Sequence, residues 1–173
     1  ALLPGSRESE ILHTMPYLIQ LPNYFPNCEF YVACSNNIKK EIYRKFSNNS
    51  KIYFIYNQTY DLLSKSHVAI VTSGTATLEA ALFKIPQLVI YKTSFLSFII
   101  AKIFIKVKFI SLVNLILNKN VVTEIIQYDL SINNLLREFN NLFIPEKRIS
   151  MIRSYDILIK KMGKNSPSKK IAK

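Results

Sequence analysis

The sequence predicts an α/β fold, a Rossmann-like doubly wound parallel sheet. Short apolar runs of strand length alternate with segments of helical period along most of the chain. Two of these runs, Leu2-Leu3 and Val68 to Val71, pass through small-residue turns straight into helical patterns, as βα units require. Finally, 173 residues with 49% hydrophobic content can bury one sizeable core, which excludes disorder over most of the chain.

The elements follow in order. Leu2-Leu3 begins the first strand, and Glu8, Glu10, Ile11 and Leu12 open a helix over residues 8–21. Pro22 and Pro26 break the path into a strand at 29–33. A helix at 37–46, a strand at 51–56 and a short helix at 59–65 come next. The strand 68–72 hands over to a helix at 75–83, and Pro86 starts the strand 87–91. Beyond it the pattern reads as helical, with helices at 121–127, 131–140 and 145–162. Residues 1–163 are therefore one domain. Residues 164–173 combine Ser, Pro, Asn and Lys without apolar periodicity and read as a disordered basic tail.

Ligands of such a sheet sit at the carboxyl ends of its strands, the edge that carries both small-residue turns. In Ser73-Gly74-Thr75-Ala76-Thr77-Leu78-Glu79 the amides of the first helical turn and the helix dipole favour a diphosphate. Gly74 lets the backbone approach closely, and the hydroxyls of Ser73, Thr75 and Thr77 add donors. Glu79 lies about one turn further on, placed for ribose hydroxyls, which makes this a nucleotide-sugar site. The plainer alternative is an ordinary capped helix with Glu79 in solvent. In Pro4-Gly5-Ser6-Arg7, Ser6 reads as the N-cap and Arg7 aims a guanidinium fork at a phosphate, the alternative being a surface ion pair with Glu8 or Glu10.

Composition narrows the classes further. The net charge of +12 raises nucleic acid or an anionic membrane as partners, yet 18 of the 23 basic residues are Lys, and no RNA-binding motif occurs. Abundant Ile and Asn point to AT-rich coding, so the charge reads as a solvated face and no nucleic-acid partner is expected. Cys28, Cys34, His13 and His67 have no zinc-ligand spacing, so no metal is expected and both histidines read as structural. Residues 95–117 are apolar, but Lys102, Lys106 and Lys108 argue against a membrane span. Lys102 and Lys106 share one helical face while Phe95, Phe98, Ile99 and Ile103 share another, which suits a helix on a membrane surface or packed on a neighbouring domain.

A third segment completes a pattern: Ser111-Leu-Val-Asn114-Leu-Ile, continued by Val121-Val-Thr-Glu124-Ile-Ile-Gln127. With the two turns, in this order and spacing, the chain from Leu2 to about Phe139 resembles the C-terminal half of lipid-A-disaccharide synthase. The resemblance implies the donor domain of a two-domain GT-B glycosyltransferase. Such an enzyme moves 2,3-diacylglucosamine from UDP to diacylglucosamine 1-phosphate with inversion, giving lipid A disaccharide 1-phosphate and UDP, with no cofactor and no metal. It further implies that Ser6 and Arg7 meet the donor diphosphate, that Ser73, Gly74 and Thr75 cradle phosphate, and that Glu79 holds the ribose. Asn114 and Gln127 would line the cleft, with Arg7 and Asn114 as the catalytic pair.

Leu117, Asn118, Lys119 and Asn120 depart from the family pattern, which often has Gly, then Arg and Glu, in this stretch; Asn tolerates the left-handed turn that Gly would take. The acceptor-binding domain is not in this sequence, so the chain reads as a fragment that binds a UDP sugar without turning it over. It is expected in the cytoplasm, peripheral to the inner face of the cytoplasmic membrane. The face that would meet the acceptor domain is expected to drive association, a homodimer included. The alternatives are another GT-B enzyme of UDP-N-acetylglucosamine, such as the peptidoglycan glycosyltransferase or the 2-epimerase, or a non-catalytic nucleotide-binding remnant. The epimerase usually shows Gly-Gly and paired acids where this chain has Gly74-Thr75 and the single Glu79.

Overall fold

A computed structural model describes residues 1–47, 51–93 and 108–164. Six parallel strands form one sheet in the order β3-β2-β1-β4-β5-β6. They are β1 (Leu2–Leu3), β2 (Phe30–Cys34), β3 (Ile52–Tyr56), β4 (Ala69–Thr72), β5 (Gln87–Tyr91) and β6 (Glu124–Ile126). The described helices are α1 (Glu8–Leu18), α2 (Leu21–Tyr24), α3 (Lys40–Arg44), α4 (Thr59–Lys65), α5 (Ala76–Leu82), α6 (Leu112–Leu117), α7 (Ile132–Asn141) and α8 (Pro145–Lys164).

The chain steps outward from β1 to β3, then returns to lay β4 on the other side of β1, with Leu2 opposite Ile70 and Leu3 opposite Val71. Strand order reverses there, and a reversal opens a crevice at the carboxyl ends of the two strands. Successive side chains along each strand point to opposite faces. Leu2, Val32 and Ile70 join Ile11, Met15 and Leu18 of α1 in the larger core. Leu3, Ala33, Ala69 and Val71 join Leu63 of α4 and Ala80 of α5 in a smaller one. Strands buried on both faces read as unbroken apolar runs, which is why the sequence located them.

Residues 121–127 correct the sequence reading. They contain a strand, β6, whose Glu124, Ile125 and Ile126 pair with Val89, Ile90 and Tyr91 of β5. The run is dominated by β-branched residues, which favour a pleated surface, and a short apolar run does not separate the two periods. The first helix also divides. α1 ends at Leu18 and α2 starts at Leu21, with Pro22 in its first turn, where a missing N–H leaves no bond unmade. α6 falls inside the apolar segment 95–117; the interfacial helix expected there lies mostly outside the described residues, as does the basic tail. Among the described residues no helix is long and apolar enough to cross a membrane.

The C-terminal helices close the core from both sides. Phe139 of α7 meets Phe25 edge-on at 4.7 Å between centroids, Phe30 at 5.9 Å and Phe143 at 5.3 Å. On α8, the Tyr155 hydroxyl accepts from Gln87 Nε2 at 3.2 Å, and burial raises its ionisation above the ordinary phenol range. Phe139→Ala should therefore lower unfolding free energy by about 3–5 kcal/mol. Urea denaturation checks this, with Phe139→Leu expected to cost less than half as much because it leaves a smaller void.

Candidate functional site

The first turn is closed from within. After β1 the chain passes Gly5, at φ +124°, and the N-cap of α1 is Arg7 rather than Ser6. The correction has a clear cause, since the Glu10 carboxylate reaches back one turn and its Oε2 accepts the Ser6 amide at 3.0 Å and the Arg7 amide at 3.3 Å. A Cβ on Gly5 would stand 2.5 Å from that oxygen and 2.7 Å from Glu10 Cβ. Thr14, fully buried, ties α1 to the turn by donating its hydroxyl to Pro4 O at 3.0 Å and Glu10 O at 2.9 Å. The Arg7 side chain is 78% exposed, with Nη1 3.4 Å from Glu10 Oε1. This is the ion pair foreseen as the alternative, with the Arg7 end in solvent and the Glu10 end buried, and a pair screened at one end contributes only about 0–1 kcal/mol. The other guanidinium N–H groups have no partner among the described residues.

The turn after β4 is open. Gly74 sits at φ +143°, and nothing lies within 4 Å of the position a Cβ would take. The amides of Gly74, Thr75 and Ala76 have no hydrogen-bond partner among the described residues. The hydroxyls expected as donors are mostly engaged elsewhere: Ser73 donates to Ile110 O at 2.9 Å and Thr77 to Gly74 O at 2.8 Å. Thr75, exposed, keeps its hydroxyl without a partner among the described residues. What the turn offers an anion is therefore main chain. Glu79 lies half-buried in the first turn of α5, its carboxylate likewise without a described partner.

A third tip belongs to α6, where the Ser111 hydroxyl caps the helix by accepting Asn114 N at 3.2 Å. Glu124 of β6 fills it: Oε2 accepts Ile110 N at 2.9 Å, and Oε1 accepts Ser111 N at 2.9 Å and Asn114 Nδ2 at 2.8 Å. Asn114 stands behind the crevice, at 0% exposure. Its Oδ1 accepts the amides of Val121 at 2.8 Å and Val122 at 3.0 Å, while Nδ2 also donates to Val122 O at 2.8 Å. With every position of its amide engaged, it holds the loop between α6 and β6. Asn118 takes the left-handed turn in that loop, at φ +49°. Gln127 is also buried, at φ +51°, and clamps the exit of β5 by accepting Thr93 N at 3.2 Å and donating to Thr93 O at 2.9 Å.

Three strand-to-helix tips thus meet at one edge. Two are filled by the protein's own carboxylates, and of the three the Gly74 turn has its amides unbonded among the described residues. The sequence reading missed the Glu10 plug, because with Ser6 taken as the N-cap the residue three further on is Ser9; counted from Arg7 it is Glu10. Glu124 was missed as well, because its partners lie 10 to 14 positions away. Lys92, just past β5, also escaped notice; its ammonium lies 4.6 Å above the Tyr17 ring centre and hydrogen-bonds the Tyr17 hydroxyl. Cys34 is no nucleophile, since burial pushes its thiol up to about 11. A cavity of about 1100 Å³ runs along the outer face of β2 and β3 beside α4, lined by Tyr31, Tyr53, Ile55 and Leu62 among others, and shares no residue with the three tips.

Comparison with known proteins places this geometry. The family model described as lipid-A-disaccharide synthetase matches residues 1–170. Lipid-A-disaccharide synthase 1 of Legionella pneumophila subsp. pneumophila is 41% identical over 159 residues, covering 88% of this chain and 41% of that protein. The lipid-A-disaccharide synthase of Psychromonas ingrahamii is 33% identical over 144 residues, 79% of this chain and 38% of that one. That of Acinetobacter baylyi is 30% identical over 174 residues, 91% of this chain and 44% of that one. The chain therefore spans about two-fifths of the length of these relatives. Among solved structures, UDP-GlcNAc 2-epimerase from Neisseria meningitidis, bound to UDP-GlcNAc, superposes with a TM-score of 0.55 at 19% identity, over 95% of this chain and 44% of that one. At that identity the likeness shows a shared fold.

The two turn glycines should respond differently to substitution. Each forces alanine into a left-handed backbone, at about 1–3 kcal/mol. Gly5→Ala adds overpacking against Glu10, about 1–3 kcal/mol more, whereas Gly74→Ala meets open space. Urea unfolding should rank Gly5→Ala as the more destabilising of the two.

Proposed function

This chain belongs to the lipid-A-disaccharide synthetase family, and from that premise we propose that it supplies the donor-binding half of an inverting glycosyltransferase of lipid A biosynthesis. The observation that supports the site assignment is the unfilled Gly74 turn, whose amides at Gly74, Thr75 and Ala76 are unbonded among the described residues. The diphosphate of a UDP-linked 2,3-diacylglucosamine would rest on those amides, approached closely because Gly74 has no side chain. Arg7, exposed across the crevice, would add a bidentate contact to the same phosphates. Glu79, one turn deeper, would accept hydrogen bonds from the ribose hydroxyls.

Departure of UDP leaves negative charge on the diphosphate as the glycosidic bond breaks. Amides fixed in the turn would stabilise that charge without reorganising, and the Arg7 guanidinium would add its charge on swinging over from Glu10. The attacking hydroxyl belongs to diacylglucosamine 1-phosphate, whose binding site and general base we assign to the part of the relatives that this chain does not cover. Without that part the acceptor cannot be aligned for in-line attack, so the chain by itself binds donor and does not transfer. In this reading Asn114 and Gln127 position the loops around the sugar, and Ser6 contributes to the turn that presents Arg7. Acylated substrates place the whole enzyme at the inner face of the cytoplasmic membrane, and a homodimer is the assembly proposed for it.

Calorimetric titration with UDP tests the site. The wild-type chain should bind saturably, and Arg7→Ala should weaken binding about ten- to a hundred-fold, as loss of a charged hydrogen bond predicts. Glu79→Ala should weaken it by about ten-fold through the ribose. Since the Arg7 side chain is 78% exposed, its removal should change unfolding free energy by no more than about 1 kcal/mol. A folded wild-type chain that takes up no UDP, or an Arg7→Ala variant that binds as tightly, would sink the assignment.

A further inference from the structure

The polar groups of α5 and α6 are joined into one chain. Ser73 donates its hydroxyl proton to Ile110 O at 2.9 Å, across 37 positions of sequence. The amides of Ile110 and Ser111 in turn donate to Glu124, each at 2.9 Å. Glu124 also receives the Asn114 side-chain amide at 2.8 Å, and Asn114 fastens the loop that leads into β6. Ser73 directly precedes Gly74, and its own amide donates to Ile90 O at 3.3 Å. The residue before the open amides is thus held by β5 on one side and by the α6 tip on the other.

We propose that Glu124 is a positioning residue for the open anion site, setting the Gly74 turn through Ile110, Ser111 and the Ser73 hydroxyl. The inference rests on the nucleotide-binding reading of that turn and adds a residue that touches no ligand. A carboxylate is needed here because all three partners of Glu124 are donors. Glutamine has the same shape but must turn its NH2 group toward one of them, so at least one bond becomes a donor facing a donor. The Ile110–Ser111 backbone then shifts, and the Ile110 carbonyl that anchors Ser73 shifts with it. Amides aimed by fixed anchors bind an anion without reordering; amides on a loosened turn must be ordered first, and affinity falls.

The test has a ligand-free and a ligand-bound arm. In 1H–15N spectra of the free chain, Glu124→Gln should move the amide signals of Gly74, Thr75 and Ala76 as well as those of Ile110 and Ser111. In UDP titration it should weaken binding by about ten-fold, the usual scale for loss of a charged hydrogen bond. Glu124→Asp, with charge kept and reach shortened, should lose less, and it serves in place of Glu124→Gln should that variant not fold. In a Ser73→Ala background Glu124→Gln should weaken binding little further, because the link between them is already cut. A merely structural Glu124 would lower stability and leave the Gly74–Ala76 signals and UDP affinity as in the wild type, and that result overturns the proposal. Wild-type failure to bind UDP would refute the nucleotide reading alone, since the free-chain spectra still decide whether Glu124 sets the turn.

Discussion

One constraint organises the molecule. A parallel sheet sends the end of each strand and the first amides of each following helix to a common edge, and buried amides there must find acceptors. In this chain six strands share that edge. Water meets the demand at fully exposed tips, whereas partly buried amides gain from a fixed acceptor. Glu10 and Glu124 provide it, each taking the amides of two consecutive residues. A carboxylate suits this place because it accepts from several directions and carries the charge that the positive end of a helix favours. The same bonds fix the turns, so satisfying the backbone and shaping the crevice are one event.

In the proposed reading, filling two tips also decides where a foreign anion goes. Had all three been open, a phosphate would have had competing sites within one crevice. With the Ser6 and Arg7 amides held by Glu10, the first turn contributes through its guanidinium alone. In water such an exposed charge is screened, and at 4 Å from a phosphate it gains only about 1 kcal/mol. Enclosure of the crevice by the rest of the protein would strengthen the same contact several-fold by removing that screening. The anion site proposed here would therefore have a strength that depends on what covers it.

The sequence disclosed the architecture because its strands are buried on both faces and its turns carry small residues at the handover to helix. Val68 to Leu82 shows both signals and was placed within a residue or two. β6 failed on the same logic, for Val121 to Ile126 owes its extended form to pairing with β5, a long-range fact that no local period contains. Of the candidate residues, the turn geometry around Gly74 was legible and the hydrogen-bond partners of the polar side chains were not. Asn114 and Gln127 are polar residues near the expected cleft, and nothing in their spacing shows that their amides are engaged by Val121, Val122 and Thr93. Ser6 looked like a cap by residue type, yet the extended backbone of Arg7 and the reach of Glu10 put the helix start one residue later. Asn118 was legible, since a left-handed position without glycine points to asparagine.

The distribution of unmet hydrogen bonds is itself informative. Across the edge, side chains that look free on paper are engaged: Thr14, Ser73, Thr77, Ser111, Asn114 and Gln127 all bond the main chain. Against that background Gly74, Thr75 and Ala76 keep three amides unbonded among the described residues. Two residues before Gly74, Thr72, at 3% exposure, ends β4 with a buried hydroxyl that has no partner among the described residues. A buried group left so costs about 1–3 kcal/mol, and a valine there would avoid the loss with the same shape. Amides left to solvent at one turn, where the neighbouring tips are closed by the protein's own carboxylates, support the proposal that a ligand completes the bonding there.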